Sequence, residues 1–442
     1  MKYLLGLLLS IPMFLSAQDL STKADALLNA YAQQDQFSGT VLIAKKSKVV
    51  FLKSYGEANR EKKIKNSPET EYRIGSVTKQ FTAALILKLQ ENKLLSVTDP
   101  LSKFIPDYPK GDSVLIENLL NHTSGIKSIT TMKQYYAEWI GQPATLEQTV
   151  SRIKNESYSF SPGSKFEYSN SNYILLSYIA ELATGRSFKQ LMEQYIFKPL
   201  KMKHTGIDLN DRQSALKAIG YQASPENEYA LARFNDMSVL AGAGAMYSTA
   251  ADLYQWDRAL YQTKFLSAAS LQQMLQPNRF GYGFGWQIDT VKGRVEVSHS
   301  GSIDGYKSNI IRYPAEDVCI IFLSNYFESK GAQISKALTS LVFNEPYELP
   351  KQRKFIQLTV QEMQKLEGTY QMEKGPQVKV FIEDGILKGR LDQQQPFKLL
   401  AESATAFYIK PIDTEVLFQS DADGNISEML FQQGKKKMVF RK

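Results

Sequence analysis

Ser76-Val77-Thr78-Lys79 sets a hydroxyl and an amine three residues apart. On a helix, residues at that spacing share a face, so the lysine can reach the serine and act as a base or proton relay for its hydroxyl. That pair is the core of one class of covalent serine hydrolase. The spacing itself is common: Ser-x-x-Lys occurs four times, at Ser76, Ser124, Ser151 and Ser214. Only the first has suitable surroundings. The short extended stretch Glu71-Tyr72-Arg73-Ile74-Gly75 precedes it, and Phe81, Ala84, Leu85 and Leu89 repeat at helical spacing after it. Ser76 is therefore expected at a helix N-terminus, where free N–H groups and the macrodipole favour developing negative charge. Taken alone, it reads as an ordinary N-cap residue.

Tyr168-Ser169-Asn170 is the second candidate, and Tyr-x-Asn occurs once in the chain. It follows the turn cluster Ser161-Pro162-Gly163-Ser164 and precedes a helical run through Ile174, Leu175, Tyr178 and Leu182, which sets Tyr168 on a loop. A phenol ordinarily titrates near pH 10, and a lysine ammonium beside it would lower that value. The phenolate would take the Ser76 proton and return it to a leaving group. Asn170 would hydrogen-bond a substrate amide or hold Lys79. In isolation Tyr168 reads as a packing aromatic. The third candidate is His299-Ser300-Gly301, with His204-Thr205-Gly206 as a decoy. His204 follows what reads as a helix exit, whereas His299 ends a strand-like run. A strand beside the nucleophile can pair with an extended substrate. The N–H of Ser302, with that of Ser76, would form an oxyanion hole. Gly301 would let the substrate approach the backbone closely.

The elements that must position these residues are legible in outline. Ser21 to Gln34 reads as a helix, followed by strands at Gly39–Ala44 and Val49–Tyr55. Residues 94–237 are mostly helices and loops, broken by prolines. Strands are expected at Gly283–Ile288, Val295–Ser298, Ser308–Tyr313 and Val318–Ser324, then a closing helix through Ala332, Ile334, Ala337, Leu338 and Leu341. A linker is placed at 346–359 and a small β domain at 360–442, with hairpin turns at Asp384-Gly385, Asp423-Gly424 and Gln433-Gly434. The run Asp421-Ala422-Asp423-Gly424-Asn425 resembles the start of a calcium loop, but its glycine comes too early, and a hairpin turn is expected.

In this chain order the three motifs resemble those of the penicillin-recognising serine hydrolases, above all the class C β-lactamase-like branch. That branch includes D-Ala carboxypeptidases, D-aminopeptidases and esterases. Leu119-Leu120-Asn121-His122-Thr123-Ser124-Gly125, the Gly-rich run Gly242–Leu253 and Leu323-Ser324-Asn325 are similar to further segments of it. The resemblance spans roughly 21–343 and implies an α/β (α+β) fold over 18–345: an antiparallel sheet flanked by helices, plus a mostly helical subdomain. From about 360, Leu366-Glu367-Gly368-Thr369-Tyr370 resembles lipocalin-like β domains appended to some relatives. The resemblance implies Ser76 as the nucleophile of an acyl-enzyme, Lys79 and Tyr168 sharing base and acid duties, and Asn170, His299, Gly301 and Ser302 binding substrate. His299 stands where many relatives carry the lysine of a Lys-Thr-Gly triplet. Histidine is mostly neutral at pH 7, so a fixed cation for a substrate carboxylate is missing. The departure favours an esterase or peptidase over a β-lactamase.

The bulk properties narrow the classes. At 442 residues the chain exceeds one typical domain, and 43% hydrophobic with 22% charged residues is ordinary globular composition. The net charge of +8 is scattered apart from Lys435-Lys436-Lys437, and no reading module accompanies it, so no nucleic-acid partner is expected. Residues 1–17 read as a secretory signal: Lys2, an apolar run from Leu4 to Leu15, and Leu15-Ser16-Ala17 before Gln18. The run is too short to span a bilayer, so no integral membrane segment is expected after its removal, and the mature chain belongs in the periplasm or the medium. Cys319 is the single cysteine and forms no internal disulfide. His122 reads as structural, bonding backbone near the site. The three histidines are too dispersed for a metal motif, and the reaction type needs no cofactor. Ile126–Thr149 is expected to line the cleft, with Tyr135, Tyr136 and Trp139 as walls or, equally, as helix packing.

The functional expectation is an exported serine hydrolase acting through an acyl-enzyme on a small amide or ester, such as a D-amino-acid peptide. The alternatives are a β-lactamase and, from another class, a non-catalytic envelope protein that binds muropeptides. The sequence assigns no oligomeric state.

Overall fold

The computed structural model describes residues 14–208, 210, 214–224 and 229–442. The chain divides into two compact units. One comprises the described residues up to Gly220 with Ala232–Leu349, the other Tyr221–Leu231 with Pro350–Lys442.

The first unit is built on helix α1 (Phe14–Ala32), strands β1 (Gly39–Lys45) and β2 (Lys48–Tyr55), and helices α2 (Thr78–Glu91), α3 (Asn170–Thr184) and α4 (Ala250–Ala259). Strands β3 (Gln287–Val291), β4 (Arg294–Ile303), β5 (Tyr306–Tyr313) and β6 (Val318–Ser324) follow, then α5 (Gly331–Val342). The six strands form one sheet in the order β3-β4-β5-β6-β1-β2, with antiparallel neighbours throughout. The neighbouring interior strands β1 and β6 are apolar almost without interruption because both faces of the sheet are covered. Val41, Ile43, Ile320 and Phe322 pack with Leu27 and Leu28 of α1 and Ile334 and Leu338 of α5. Leu42, Ala44, Ile321 and Leu323 face the opposite core, which contains the buried side of α2 and α3. The period of two along each strand splits these residues between the two cores.

Two expected strands differ from those observed. Gly283–Ile288 overlaps β3 only at its end. Gly285 has φ 76°, and a Cβ there would come within 2.7 Å of the Lys79 carbonyl, so this stretch is a loop pressed onto the start of α2. The strand expected at Val295–Ser298 instead runs on to Ile303, so His299-Ser300-Gly301-Ser302 lies within β4. Ser300 and Ser302 are exposed while Val297, His299, Gly301 and Ile303 are buried, and the small polar residues masked that alternation in the sequence. The leader reading falls mostly on residues 1–13, outside the described residues, while 14–17 belong to α1.

The second unit contains the short helix Val360–Gln364, started by a Thr359 capping box, and a nine-stranded antiparallel sheet that forms a nearly closed barrel. Tyr370, Val378, Leu387, Phe407, Phe418 and Phe440 are in its core. Asp384-Gly385 has φ of 52° and 74°, the conformation a tight two-residue hairpin needs. Asp421 Oδ1 accepts from the N–H groups of Asp423 and Asn425, an Asx turn at the hairpin between Thr414–Ser420 and Ile426–Gln433.

Candidate active site

The strand Tyr72–Arg73 leads through a tight turn, Gly75–Val77, into α2. Gly75 takes φ 48°, and a Cβ there would sit 3.0 Å from the Ser302 nitrogen, so the turn lies directly against β4. Ser76 is not an N-cap. The cap position of α2 is Val77, which makes no side-chain capping bond. The Ser76 Oγ instead lies 3.1 Å from Lys79 Nζ.

Lys79 is fully buried, and its Nζ has three oxygen neighbours: Ser76 Oγ at 3.1 Å, Asn170 Oδ1 at 2.7 Å and the Ala243 carbonyl at 2.7 Å. A carbonyl oxygen and an amide oxygen only accept. Asn170 is held in that orientation because its Nδ2 donates to Thr130 Oγ1 at 3.0 Å while its backbone N–H donates to Ser128 Oγ. A neutral amine has two N–H groups and one lone pair. The two N–H groups match the two acceptors, and the lone pair faces the Ser76 hydroxyl. Burial drives Lys79 well below the ordinary lysine range, which favours this neutral form.

Tyr168 lies on the loop before α3, with Lys79 Nζ 4.9 Å from its ring centre. The expected lowering of its pKa by a neighbouring ammonium does not occur. Tyr168 keeps partial solvent exposure, but burial among its neighbours pushes the phenol up, against the opposing pull of a hydrogen bond with Ser76. It is a phenol able to donate a proton, beside an amine able to take one. His122 props this loop: it is buried at φ 60°, packs tilted against the Tyr168 ring with centroids 4.4 Å apart, and its Nδ1 accepts from the Ser169 N–H at 3.2 Å.

His299 is buried rather than presented to the cleft. Its Nδ1–H donates to the Ser300 carbonyl at 2.7 Å, which leaves Nε2 to accept from the Tyr282 hydroxyl at 2.8 Å. Burial, the largest cause, holds its pKa down at about 3. The ring that was expected to bind substrate is thus a neutral support beneath β4. Gly301 is needed for a reason other than substrate approach. A Cβ there would come within 2.0 Å of the Ile74 carbonyl and 2.3 Å of Ser308 Oγ, which itself donates to that carbonyl at 2.7 Å. Ser302 reaches the cleft. β3 pairs with β4 only as far as Ser298, so on that edge the backbone from His299 to Ile303 has no strand neighbour among the described residues.

Ser76, Asn170 and Ser302 line one cleft of about 180 Å³. Tyr135 and Tyr136 line it too, whereas Trp139 packs against the Arg152 guanidinium at 4.9 Å. The other Ser-x-x-Lys spacings are differently engaged: Ser124 donates to Asn172, Ser214 to Glu71, and Lys154 pairs with Asp107. His204 pairs with Glu71 at 3.3 Å. Sequence reasoning missed Asn235, Asp304 and Phe327 in the lining, and the Ala243 carbonyl beneath Lys79. The Gly-rich run at 242–245 was the available signal for Ala243, but a backbone acceptor has no side-chain signature.

The Beta-lactamase family model matches residues 24–342. Penicillin-binding protein 4* of Bacillus subtilis (strain 168) is 31% identical over 445 residues, covering 94% of this chain and 97% of its own. A penicillin binding protein from Bacillus halodurans superposes with a TM-score of 0.65 at 26% identity, over 71% of this chain and 98% of that one. A D-stereospecific amidohydrolase from Streptomyces sp. does so with a TM-score of 0.62 at 25% identity, over 74% and 98%. The fold, the family match and the full-length similarity agree: this chain belongs to the beta-lactamase family of penicillin-recognising serine hydrolases.

Proposed function

We propose that this protein is an exported serine hydrolase that works through an acyl-enzyme on a small amide or ester of a D-amino acid. The observation that carries this reading is the Lys79 amine, 3.1 Å from Ser76 Oγ and 2.7 Å from each of two obligate acceptors, Asn170 Oδ1 and the Ala243 carbonyl. In this mechanism Ser76 Oγ attacks the substrate carbonyl as its proton passes to Lys79. The N–H groups of Ser76 and Ser302 stabilise the oxyanion. The Tyr168 phenol protonates the leaving group, and the proton taken up by Lys79 restores the phenol, so both groups end neutral. Water then releases the acyl group by the same steps in reverse. The open edge of β4 offers main-chain pairing to an extended substrate.

The D-amino-acid class is supported by the similarity to the D-stereospecific amidohydrolase. The neutral His299 argues against strong recognition of a β-lactam carboxylate. Export is supported by the composition of residues 1–17. Ser76→Ala is expected to abolish hydrolysis of D-amino-acid esters while the unfolding curve stays close to wild type. Unchanged turnover in that variant would sink the mechanism. Tight binding of muropeptides without turnover in the wild type would favour the non-catalytic reading. Opening of the benzylpenicillin ring would favour the β-lactamase one.

A further inference from the structure

Among the described residues lining the cleft beside Ser76, the lone charged side chain is Asp304. It belongs to the two-residue connection between β4 and β5. Gly305 in that turn takes φ 86°, and a Cβ there would come within 2.6 Å of Gly220 Cα. The turn therefore demands the glycine. It does not demand an acid, since Asp304 keeps a negative φ. The Asp304 side chain is 21% exposed, and its Oδ2 is met by Arg233 Nε at 3.1 Å. Arg233 is itself 49% exposed and lies over the Tyr136 ring, so one half-exposed cation faces a mostly buried carboxylate. A carboxylate can accept about four hydrogen bonds, which leaves capacity for a second donor. Lys307, a further basic residue, is engaged with Ser302 Oγ at 3.0 Å and the Phe327 ring at 4.1 Å.

We propose that Asp304 makes the cleft selective for acyl donors that carry a free α-ammonium group, that is, unblocked aminoacyl amides and esters. The inference rests on the serine-hydrolase reading above. An ammonium entering the cleft donates a charge-assisted hydrogen bond to Asp304, whereas a carboxylate in the same place meets a like charge. Acylating the substrate nitrogen removes the cation and the advantage with it.

The test compares D-phenylalanine methyl ester with its N-acetyl counterpart at about pH 7, where much of the free amine is protonated. The readout is the ratio of kcat/KM for the two esters in wild type, Asp304→Asn and Arg233→Gln, each checked for folding by circular dichroism. The wild type is expected to favour the free amine by about tenfold or more, the size expected of one charged hydrogen bond. The ratio is expected to fall toward one in Asp304→Asn and to be kept or raised in Arg233→Gln, which frees the carboxylate. A wild-type ratio near one, or a ratio unchanged in Asp304→Asn, overturns the inference while leaving the hydrolase reading intact. A ratio that collapses equally in Arg233→Gln also overturns it, because the ion pair would then act only as structure. If the wild type turns over neither ester, the hydrolase reading fails and this inference falls with it.

Discussion

The chemistry of the site turns on one proton at Lys79. Burial lowers the lysine and raises the tyrosine, which favours neutral amine plus neutral phenol over ammonium plus phenolate. The sign for pH dependence follows. The amine is free above the depressed Lys79 value and protonated below it, so kcat/KM is expected to rise with pH through that value. The raised phenol stays protonated over the same range. His299, held at about 3, adds no limb between about pH 5 and 8. A pH–rate profile checks this, and an acidic limb is expected where an ordinary lysine would give an alkaline one. Lys79→Arg keeps a permanent charge and is expected to lose roughly 10²- to 10⁴-fold in kcat/KM. Ser76, Lys79, Tyr168 and Asn170 were legible because each pairing falls within a short spacing of distinctive residue types. The protonation states were not, because they follow from burial and from acceptors contributed by distant residues such as Ala243.

At the scale of elements, the site depends on how closely the turn before α2 meets β4. Gly75 abuts Ser302, Gly301 abuts the Ile74 carbonyl, and Ser308 bonds that carbonyl from the neighbouring strand. Gly301→Ala would force the strand and the turn apart. It is expected to lower stability by about 1–3 kcal/mol, as overpacking does, and to reduce kcat at least about 10²-fold through the displaced oxyanion donors. Denaturant melts and steady-state kinetics measure the two effects separately. β6 and the apolar face of α2 were readable because long apolar runs and strong periodicity mark buried elements. The reach of β4 was not, because its last residues alternate between small polar and buried positions and give little apolar contrast.

At the scale of the molecule, the core of the C-terminal strands draws all its buried residues from between Met363 and Phe440. Residues 350–442 are therefore expected to fold alone, with a cooperative melt and dispersed amide NMR signals; a random-coil spectrum would contradict this. Its hairpins were legible from Asp-Gly and Gln-Gly pairs. The grouping of Tyr221–Leu231 with it was not, because contacts over that sequence distance leave no local pattern. Under the proposed export, the mature chain is expected to begin at Gln18, which its intact mass reads directly. Mass also tests the central claim. Wild-type protein and Ser76→Ala would be quenched in acid within the first turnovers of a D-amino-acid ester, weighed intact and peptide-mapped. An acyl group on Ser76 in the wild type, absent from the variant, is the predicted result. Turnover with no acyl adduct at Ser76, or an adduct on another residue with turnover retained in Ser76→Ala, would contradict it.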